Sequence, residues 1–407
     1  MTAPRLGAAP RAWAMLALVA LIGLNLRPFL TGPGTVLAGI EADTGLGHLG
    51  ASMLTVLPML LMGVGAFLAP AVQARVGTRR GVLAALLALA LGSALRLAAR
   101  DGALLVATAA LCGLGVAYIQ AVFPGVIKDR FPGRMAAVMG VYSAMMMGGG
   151  ARLTSRLAGG AGDSWRAALA WLAVPALIAF AAAWRYLAET PAARRDGALA
   201  GTLLRRPRTW LLIAAFGLVN GGYSSMVAWL APAVQAQGWS IAQSGDLMVA
   251  MTIAQAAAAL TLPALAARRA DRRPWLYATL AMQAAGFAGM AFWPTAAPLA
   301  WAVIGGAGLG GCFALTFIAA LDHFSQAEPA GVLAALMQGG GFLIAALAPF
   351  AMAALRAATG GFAAGWAMHL ACVAIACLLI QRLDPASYAQ VMAAEPGAAA
   401  TRRAPSA

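Results

Sequence analysis

Between Asp101 and Lys128 the chain reads GALLVATAALCGLGVAYIQAVFPGVI, a mostly apolar run without a single charged residue. A helix needs about 20 such residues to cross the hydrocarbon core of a bilayer, and this run is longer than that. A segment in lipid must satisfy its own backbone hydrogen bonds, which leaves a helix as the structure for a run of this length. The run therefore predicts a membrane-spanning helix.

The rest of the chain has the same character. Of its 407 residues 62% are hydrophobic and 10% are charged, and the mean hydropathy is +0.80. Soluble globular proteins carry about 25% charged residues, so this composition excludes an ordinary soluble enzyme, a secreted disulfide scaffold and a disordered chain. The four cysteines lie in apolar runs without the spacing of a zinc site, so we expect neither a metal nor a cofactor.

Division of the chain at charges, prolines and polar stretches gives twelve runs of spanning length. They lie at 13–39, 50–72, 80–98, 103–126, 135–158, 164–187, 209–234, 243–267, 274–293, 296–320, 331–355 and 362–382. We therefore predict an all-α integral membrane protein with twelve transmembrane helices.

The two halves of the sequence match each other at an offset of 195 residues. Asn25 then falls on Asn220, and the tripeptide 113–115 falls on the identical tripeptide 308–310. Two parallel repeats of six helices describe a secondary transporter with its site at the interface between the halves. A nucleotide-driven pump would need a phosphate-binding loop, which the sequence lacks. The predicted units are an N-terminal half at 1–187, a basic cytoplasmic linker at 188–208, a C-terminal half at 209–383 and a disordered cytoplasmic tail at 384–407.

The distribution of positive charge predicts the orientation. Of the 28 basic residues, 21 lie in the tails and the loops on one side, and five (Arg96, Arg100, Arg156, Arg166 and Arg356) lie on the other. Cytoplasmic loops carry the excess of Lys and Arg, so both termini are expected in the cytoplasm and the protein in a bacterial-type inner (cell) membrane. This bias explains the net charge of +15 without any nucleic acid partner.

Several motifs resemble those of a known family. The loop at 74–80, ARVGTRR, is similar to the cytoplasmic signature of the major facilitator superfamily, although Ala74 stands where that signature has Asp. Four further stretches narrow the resemblance to the cyanate and nitroimidazole transporter family within that superfamily. They are Leu26-Arg27-Pro28, residues 54–58, residues 123–128 and Gly140-Val141-Tyr142-Ser143. The resemblance implies two pseudo-symmetric six-helix halves and a small, compact, often anionic or heteroaromatic solute. It also implies a gating role for Arg75, Gly77, Arg79 and Arg80.

Arg27 is the main candidate for binding the solute. It lies about 14 residues into the first predicted span, close to mid-depth, where a charged side chain is costly. Its planar guanidinium offers donors suited to a small anion. We therefore expect it to face the central cavity and bind an anionic group. The alternative is a structural arginine bonded to the helix-end carbonyls beside Pro28.

The other candidates are polar residues predicted deep in the spans. They are Asn25, Thr31, Tyr118, Gln120, Tyr142, Asn220, Tyr223 and Gln338. The two asparagines could equally bond neighbouring helices together. All carboxylates fall in loops, in tails or near span ends, so a buried acidic relay is not expected and a proton carried on the solute remains the route for proton coupling.

We predict a monomeric secondary transporter of a small, anionic solute, cyanate-like or nitroimidazole-like, working by alternating access. One alternative is a polyspecific drug exporter, which predicts a larger, aromatic, Met-rich cavity. The other is a membrane sensor or scaffold that binds a ligand without moving it. An enzyme is not expected, because no nucleophile, base and orienting group occur together in any span.

Overall fold

The computed structural model describes residues 8–29, 33, 37–46, 48–148, 164–188 and 198–392, and these ranges contain helices and no strand. Twelve spanning segments follow one another. They are α1 Ala8–Asn25, α2 His48–Val76, α3 Thr78–Ala94, α4 Gly102–Arg130, α5 Met135–Gly148, α6 Trp165–Tyr186, α7 Pro207–Gln235, α8 Ile241–Ala266, α9 Arg273–Phe292, α10 Pro298–Asp322, α11 Ala327–Thr359 and α12 Ala363–Ile380. Short helices occur at Leu37–Thr44, Ala198–Leu204 and Tyr388–Met392.

The length and composition of these segments confirm the membrane class. Among the described residues, nine helices are long and apolar enough to cross a membrane, and two shorter apolar helices belong to α1 and α5. The remaining segment, α9, has 20 residues and brings the number of segments to twelve. Helix starts follow ordinary capping chemistry: Asp101 accepts a hydrogen bond from the Leu104 N–H at 2.8 Å, and Ser240 and Gln243 form a capping box.

Two of the predicted continuous spans are broken by proline. The first was expected to run unbroken over 13–39, but α1 ends at Asn25 and the chain bends at Leu26 and Arg27, directly before Pro28. In α6 the helix stops at Ala170 and resumes at Ala173, two residues before Pro175. Proline has no N–H to give to the preceding turn, which explains both interruptions.

The packing of the helices repeats between the halves. In the N-terminal half α1 packs on α5 and α6, α2 packs on α4, and α3 packs on α4 and α6. In the C-terminal half α7 packs on α11 and α12, α8 packs on α10, and α9 packs on α10 and α12. This equivalence is the pseudo-symmetry that the 195-residue offset predicted. The halves meet mainly where α2 and α4 contact α11 and where α5 contacts α8 and α10.

Glycines allow the helices of the two halves to approach closely. A Cβ atom on Gly339 of α11 would lie 2.9 Å from the Gly63 carbonyl oxygen of α2. A Cβ atom on Gly125 of α4 would lie 3.1 Å from the Cα of Gly331. Small residues permit such backbone contact between membrane helices. The two halves are therefore tightly packed where α2 and α4 meet α11.

We call the end of the bundle at which the even-numbered helices finish the basic face, and the other end the opposite face. The predicted disordered tail at 384–407 is wrong in its first part, because Tyr388 is buried against the basic face and stacks on His323 at 3.7 Å between ring centroids. Arg208 donates to the Arg382 carbonyl and, at 3.0 Å, to Ser387 Oγ, so these bonds fix the segment. Residues 393–407 lie outside the described chain.

Candidate functional site

Arg27 lies at the break after α1, between the two halves. Its side chain is 5% exposed, and its guanidinium carbon lies 4.7 Å from the centroid of the Tyr223 ring on α7. A cation within about 6 Å of an aromatic face is attracted by the ring quadrupole. The contact joins the segment directly after the first helix of one half to the middle of the first helix of the other.

Tyr142 of α5 forms the next wall of this region. A Cβ atom on Gly23 would lie 2.7 Å from the Tyr142 carbonyl oxygen, so glycine brings α1 against α5 one turn before Arg27. The Tyr142 phenol is 1% exposed, stacks on Phe123 of α4 at 5.9 Å, and interacts electrostatically with Arg27. Its hydroxyl has no hydrogen-bond partner in the described structure. Tyr142 therefore brings a buried polar atom close to Arg27.

Two glutamines continue the wall toward α11. Gln338 of α11 donates to the Gln120 carbonyl oxygen of α4 at 2.6 Å, which is a direct bond between the halves. The Gln120 amide donates to the Met146 sulfur at 3.1 Å, and Met146 lies one turn after Tyr142 on α5. The side-chain oxygen of Gln120 is buried without a described partner. We call Arg27, Tyr142, Gln120, Tyr223 and Gln338 the central polar cluster.

The two asparagines donate their side-chain amides to backbone carbonyls. The Asn25 amide donates to the Leu21 carbonyl at 2.7 Å and to the Pro175 carbonyl of α6 at 3.2 Å, within the N-terminal half. The Asn220 amide donates to the Phe216 carbonyl of its own helix at 2.9 Å. Of the two uses that the sequence left open, the contacts of Asn25 favour the bonding of helices, whereas the described bond of Asn220 stays within α7. Thr31 lies outside the described residues.

Tyr118 also faces away from the cluster, contrary to our expectation of a solute contact. Its hydroxyl donates to the Gly77 carbonyl at 3.2 Å, and its ring lies against Gly81 of α3. Tyr118 and Gln120 are two residues apart, which is about 200° around a helix, so they occupy opposite sides of α4. Of these two residues, Gln120 is therefore the one that lies on the side of α4 facing the central polar cluster.

The loop with the signature sequence is tied to its own half. Gly77 has a φ of 85°, in the left-handed region that glycine adopts at little cost. Arg79 donates to the Trp184 carbonyl at 2.8 Å, and its guanidinium carbon lies 4.9 Å from the centroid of that residue's ring. Arg75 and Arg80 are exposed on the basic face. The loop therefore stabilises the base of α2, α3, α4 and α6.

A lysine joins the halves at the basic face, and our expectations assigned it no role. Lys128, at the end of α4, donates to the Leu321 carbonyl at the end of α10. Asp322 lies close enough to interact electrostatically with Lys128, and Arg272 holds that carboxylate at 2.9 Å. The last carbonyls of a helix have no partner in the helix itself and carry partial negative charge. Lys128 supplies that partner from the other half.

A cavity of about 300 Å³ opens beside this contact, between α2, α4 and α11. Gln73, Thr78, Asp129, Gln326 and Glu328 give it polar walls. Its inner end is formed by Ala121, which follows Gln120, and by Ala335, which lies about one turn before Gln338. The bond between those two glutamines of the central polar cluster therefore lies next to the inner end of the cavity.

The structure also reveals a second buried arginine. Arg96 was expected among the loop charges of the opposite face, yet it is 1% exposed. Its Nη2 donates to the Phe29 carbonyl at 3.4 Å, two residues after Arg27. Its position at the end of an apolar run gave no signal that would distinguish it from an exposed flanking charge.

Comparison with known proteins shows the family to which the chain is similar. The family model of the Major Facilitator Superfamily matches residues 13–349. The chain is 40% identical to the cyanate transport protein CynX of Escherichia coli, over 94% of this chain and all of that protein. It is 30% identical to the 2-nitroimidazole transporter of the same organism, over 90% of this chain and 93% of the relative.

A solved structure shows the same fold. The structure of the proton:xylose symporter XylE superposes with a TM-score of 0.75 and 13% identity, over 92% of this chain and 96% of that chain. At this identity the likeness bears on the fold alone. It agrees with the helical fold described above.

Proposed function

This chain belongs to the Major Facilitator Superfamily, and from that premise we propose that it transports cyanate or a similarly small anion by alternating access. Arg27 is the residue that binds the anion. The basic face lies in the cytoplasm, and the membrane is a bacterial inner membrane. The excess of Arg and Lys at that face supports this orientation.

The observation that carries the proposal is the placement of Arg27. A buried guanidinium lies at a helix break, between the two halves, against the ring of Tyr223. Broken helices at mid-membrane form the binding sites of many transporters. A guanidinium presents planar donors that match small oxyanions and similar groups, and it acts more strongly away from water. The Tyr142 hydroxyl adds a further polar contact.

The chemistry of the relatives' solutes agrees with this site. Two relatives are named for cyanate and for 2-nitroimidazole. Cyanate is a three-atom anion, and a nitro group offers two oxygen acceptors on a planar ring. Both suit one guanidinium flanked by aromatic rings, whereas a polyspecific drug exporter would need a wide cavity. The relatives therefore favour the small solute.

Access to the site changes through the contacts between the halves. On the basic face these are the Lys128 bond to Leu321 and the Gln338 bond to Gln120. Separation of these pairs would extend the 300 Å³ cavity to the central polar cluster. The carboxylates that the structure describes lie in loops or toward helix ends, so we expect a proton, where one moves, to travel on the solute.

Cyanate uptake into proteoliposomes tests the proposal. We would compare the wild type with Arg27→Lys and Arg27→Met. The matched control is Arg356→Met, because Arg356 also lies over an aromatic ring, that of Phe362 at 4.5 Å, but at the opposite face. Loss of a hydrogen bond to a charged group costs about 1.5–3 kcal/mol, so uptake at low cyanate should fall about tenfold or more in Arg27→Met.

Arg27→Lys keeps the charge but not the planar donors, so it should recover only part of the loss. The control variant should transport like the wild type. Equal uptake by all four folded proteins would refute the role of Arg27. Uptake measured with and without an imposed pH gradient would show whether a proton accompanies the solute.

A further inference from the structure

The sequence shows why the carbonyl of Phe29 receives no helical hydrogen bond from the residue four positions later. In a helix this carbonyl would accept the N–H of the residue four positions later. That residue is Pro33, which has no N–H. Pro28 likewise offers no N–H to Leu24, and the helix closes with a tight turn from the Leu26 N–H to the Gly23 carbonyl at 3.0 Å. The ladder of helical hydrogen bonds thus loses one bond on either side of Arg27, at the carbonyls of Leu24 and Phe29.

Arg96 supplies the missing donor. Its guanidinium reaches from the end of α3 and donates to the Phe29 carbonyl. The side chain is 1% exposed, and burial of a guanidinium is costly unless its donors are used. Nε and Nη1 have no hydrogen-bond partner in the part of the chain that the structure describes. Within the same ranges, Asp43 pairs with Arg166 and Asp101 caps α4. The described contact of Arg96 is therefore with the backbone of the helix break.

We propose that Arg96 is a positioning residue for Arg27. By holding the Phe29 carbonyl it fixes the bend after α1, and the bend determines where the Arg27 guanidinium lies relative to Tyr223. The effect of Arg96 on transport therefore passes through Arg27. The inference rests on the proposed function for the transport readout and is independent of it for the backbone readout.

The first test measures the backbone itself. Hydrogen–deuterium exchange would be followed in peptides that cover residues 21–29, in the wild type, Arg96→Met and Arg96→Lys. The control is Arg100→Met, which removes an exposed charge from the same region. We expect faster exchange in Arg96→Met, a smaller change in Arg96→Lys and none in the control. Unchanged exchange in both folded Arg96 variants would overturn the proposal.

The second test is a double-mutant cycle on cyanate uptake. Arg96→Met should raise the KM for cyanate about tenfold with little change in the maximal rate, since one charge-assisted contact to the segment is lost. In the Arg27→Lys background the same substitution should have almost no further effect. An equal, additive effect in both backgrounds would show that Arg96 acts without Arg27 and would overturn the proposal.

Thermal unfolding of each variant separates positioning from folding. If Arg96→Met fails to fold, the cycle is run with Arg96→Lys, which keeps a donor on a shorter head group and should shift KM in the same direction. If Arg27→Lys itself leaves cyanate uptake unchanged, the proposed function fails while the exchange experiment still decides the positioning role. A fall in thermal stability with wild-type exchange and KM would also overturn it.

Discussion

Replacement of Lys128 by methionine should shift the protein toward the state that is open at the basic face. Lys128 is the only lysine in the chain, and it donates across the interface to the Leu321 carbonyl, beside Asp322. Methionine keeps the length of the side chain and removes the charge and the donor. The bond exists when the halves are in contact on this side, so its loss destabilises that state selectively.

The size of the shift follows from the single bond. A hydrogen bond to a charged group contributes about 1.5–3 kcal/mol, and each 1.4 kcal/mol is a factor of about ten in an equilibrium. Lys128 is half-buried, so solvent weakens the contact and the lower end applies. We therefore expect the ratio of closed to open forms on the basic side to fall about tenfold.

Alkylation of one introduced cysteine would report the opening. In a background without the four native cysteines, Val122→Cys places a thiol at the inner end of the 300 Å³ cavity, where the native side chain is 4% exposed. The rate of reaction with N-ethylmaleimide should rise about tenfold in Lys128→Met and less in Lys128→Arg. The matched control is Arg130→Met, because Arg130 donates to the Ala188 carbonyl within its own half. An alkylation rate unchanged by Lys128→Met in folded protein would refute the gating role.

Three further outcomes are expected. Gly77→Ala should lower the thermal midpoint, because a φ of 85° costs a non-glycine residue about 1–2 kcal/mol. Asn25→Ala should cost about 1 kcal/mol in unfolding experiments and leave the KM for cyanate within about twofold, since its amide bonds α6; a large KM change would place Asn25 in the site. Burial lowers the pKa of His323 from 6.5 to about 4. Between these two pH values the ring therefore binds a proton in the unfolded chain but stays neutral in the folded protein. Stability should therefore decline as the pH falls from 6.5 toward 4, and His323→Gln should reduce that decline in thermal midpoints taken at pH 7 and pH 5.

The residues of the candidate site could be predicted from the sequence as far as the depth of each residue in its span was sufficient to identify them. Arg27, Tyr142, Gln120, Tyr223 and Gln338 were chosen from the sequence, and the structure brings them together. Their roles in binding remain predictions. The depth of a residue in the membrane could not show which way its side chain points, because each successive residue of a helix is turned by about 100°. Mostly apolar spans have no polar stripe that would mark the side facing the cavity. Tyr118 and Asn25 were therefore assigned to the site although they contact the backbone of their own half.

The sequence by itself determined the class of the protein, the number of spans and the repeat of the halves. Lipid requires each segment to satisfy its own backbone and to be apolar over its whole length, so these properties are local. Tertiary structure alone decided which side chains meet. The bonds from Lys128 to Leu321 and from Arg96 to Phe29 join residues far apart in the chain. In each bond a side chain donates to a backbone carbonyl at the end of a helix or beside a break in one. Only the packing of the helices determines which distant side chain reaches that carbonyl.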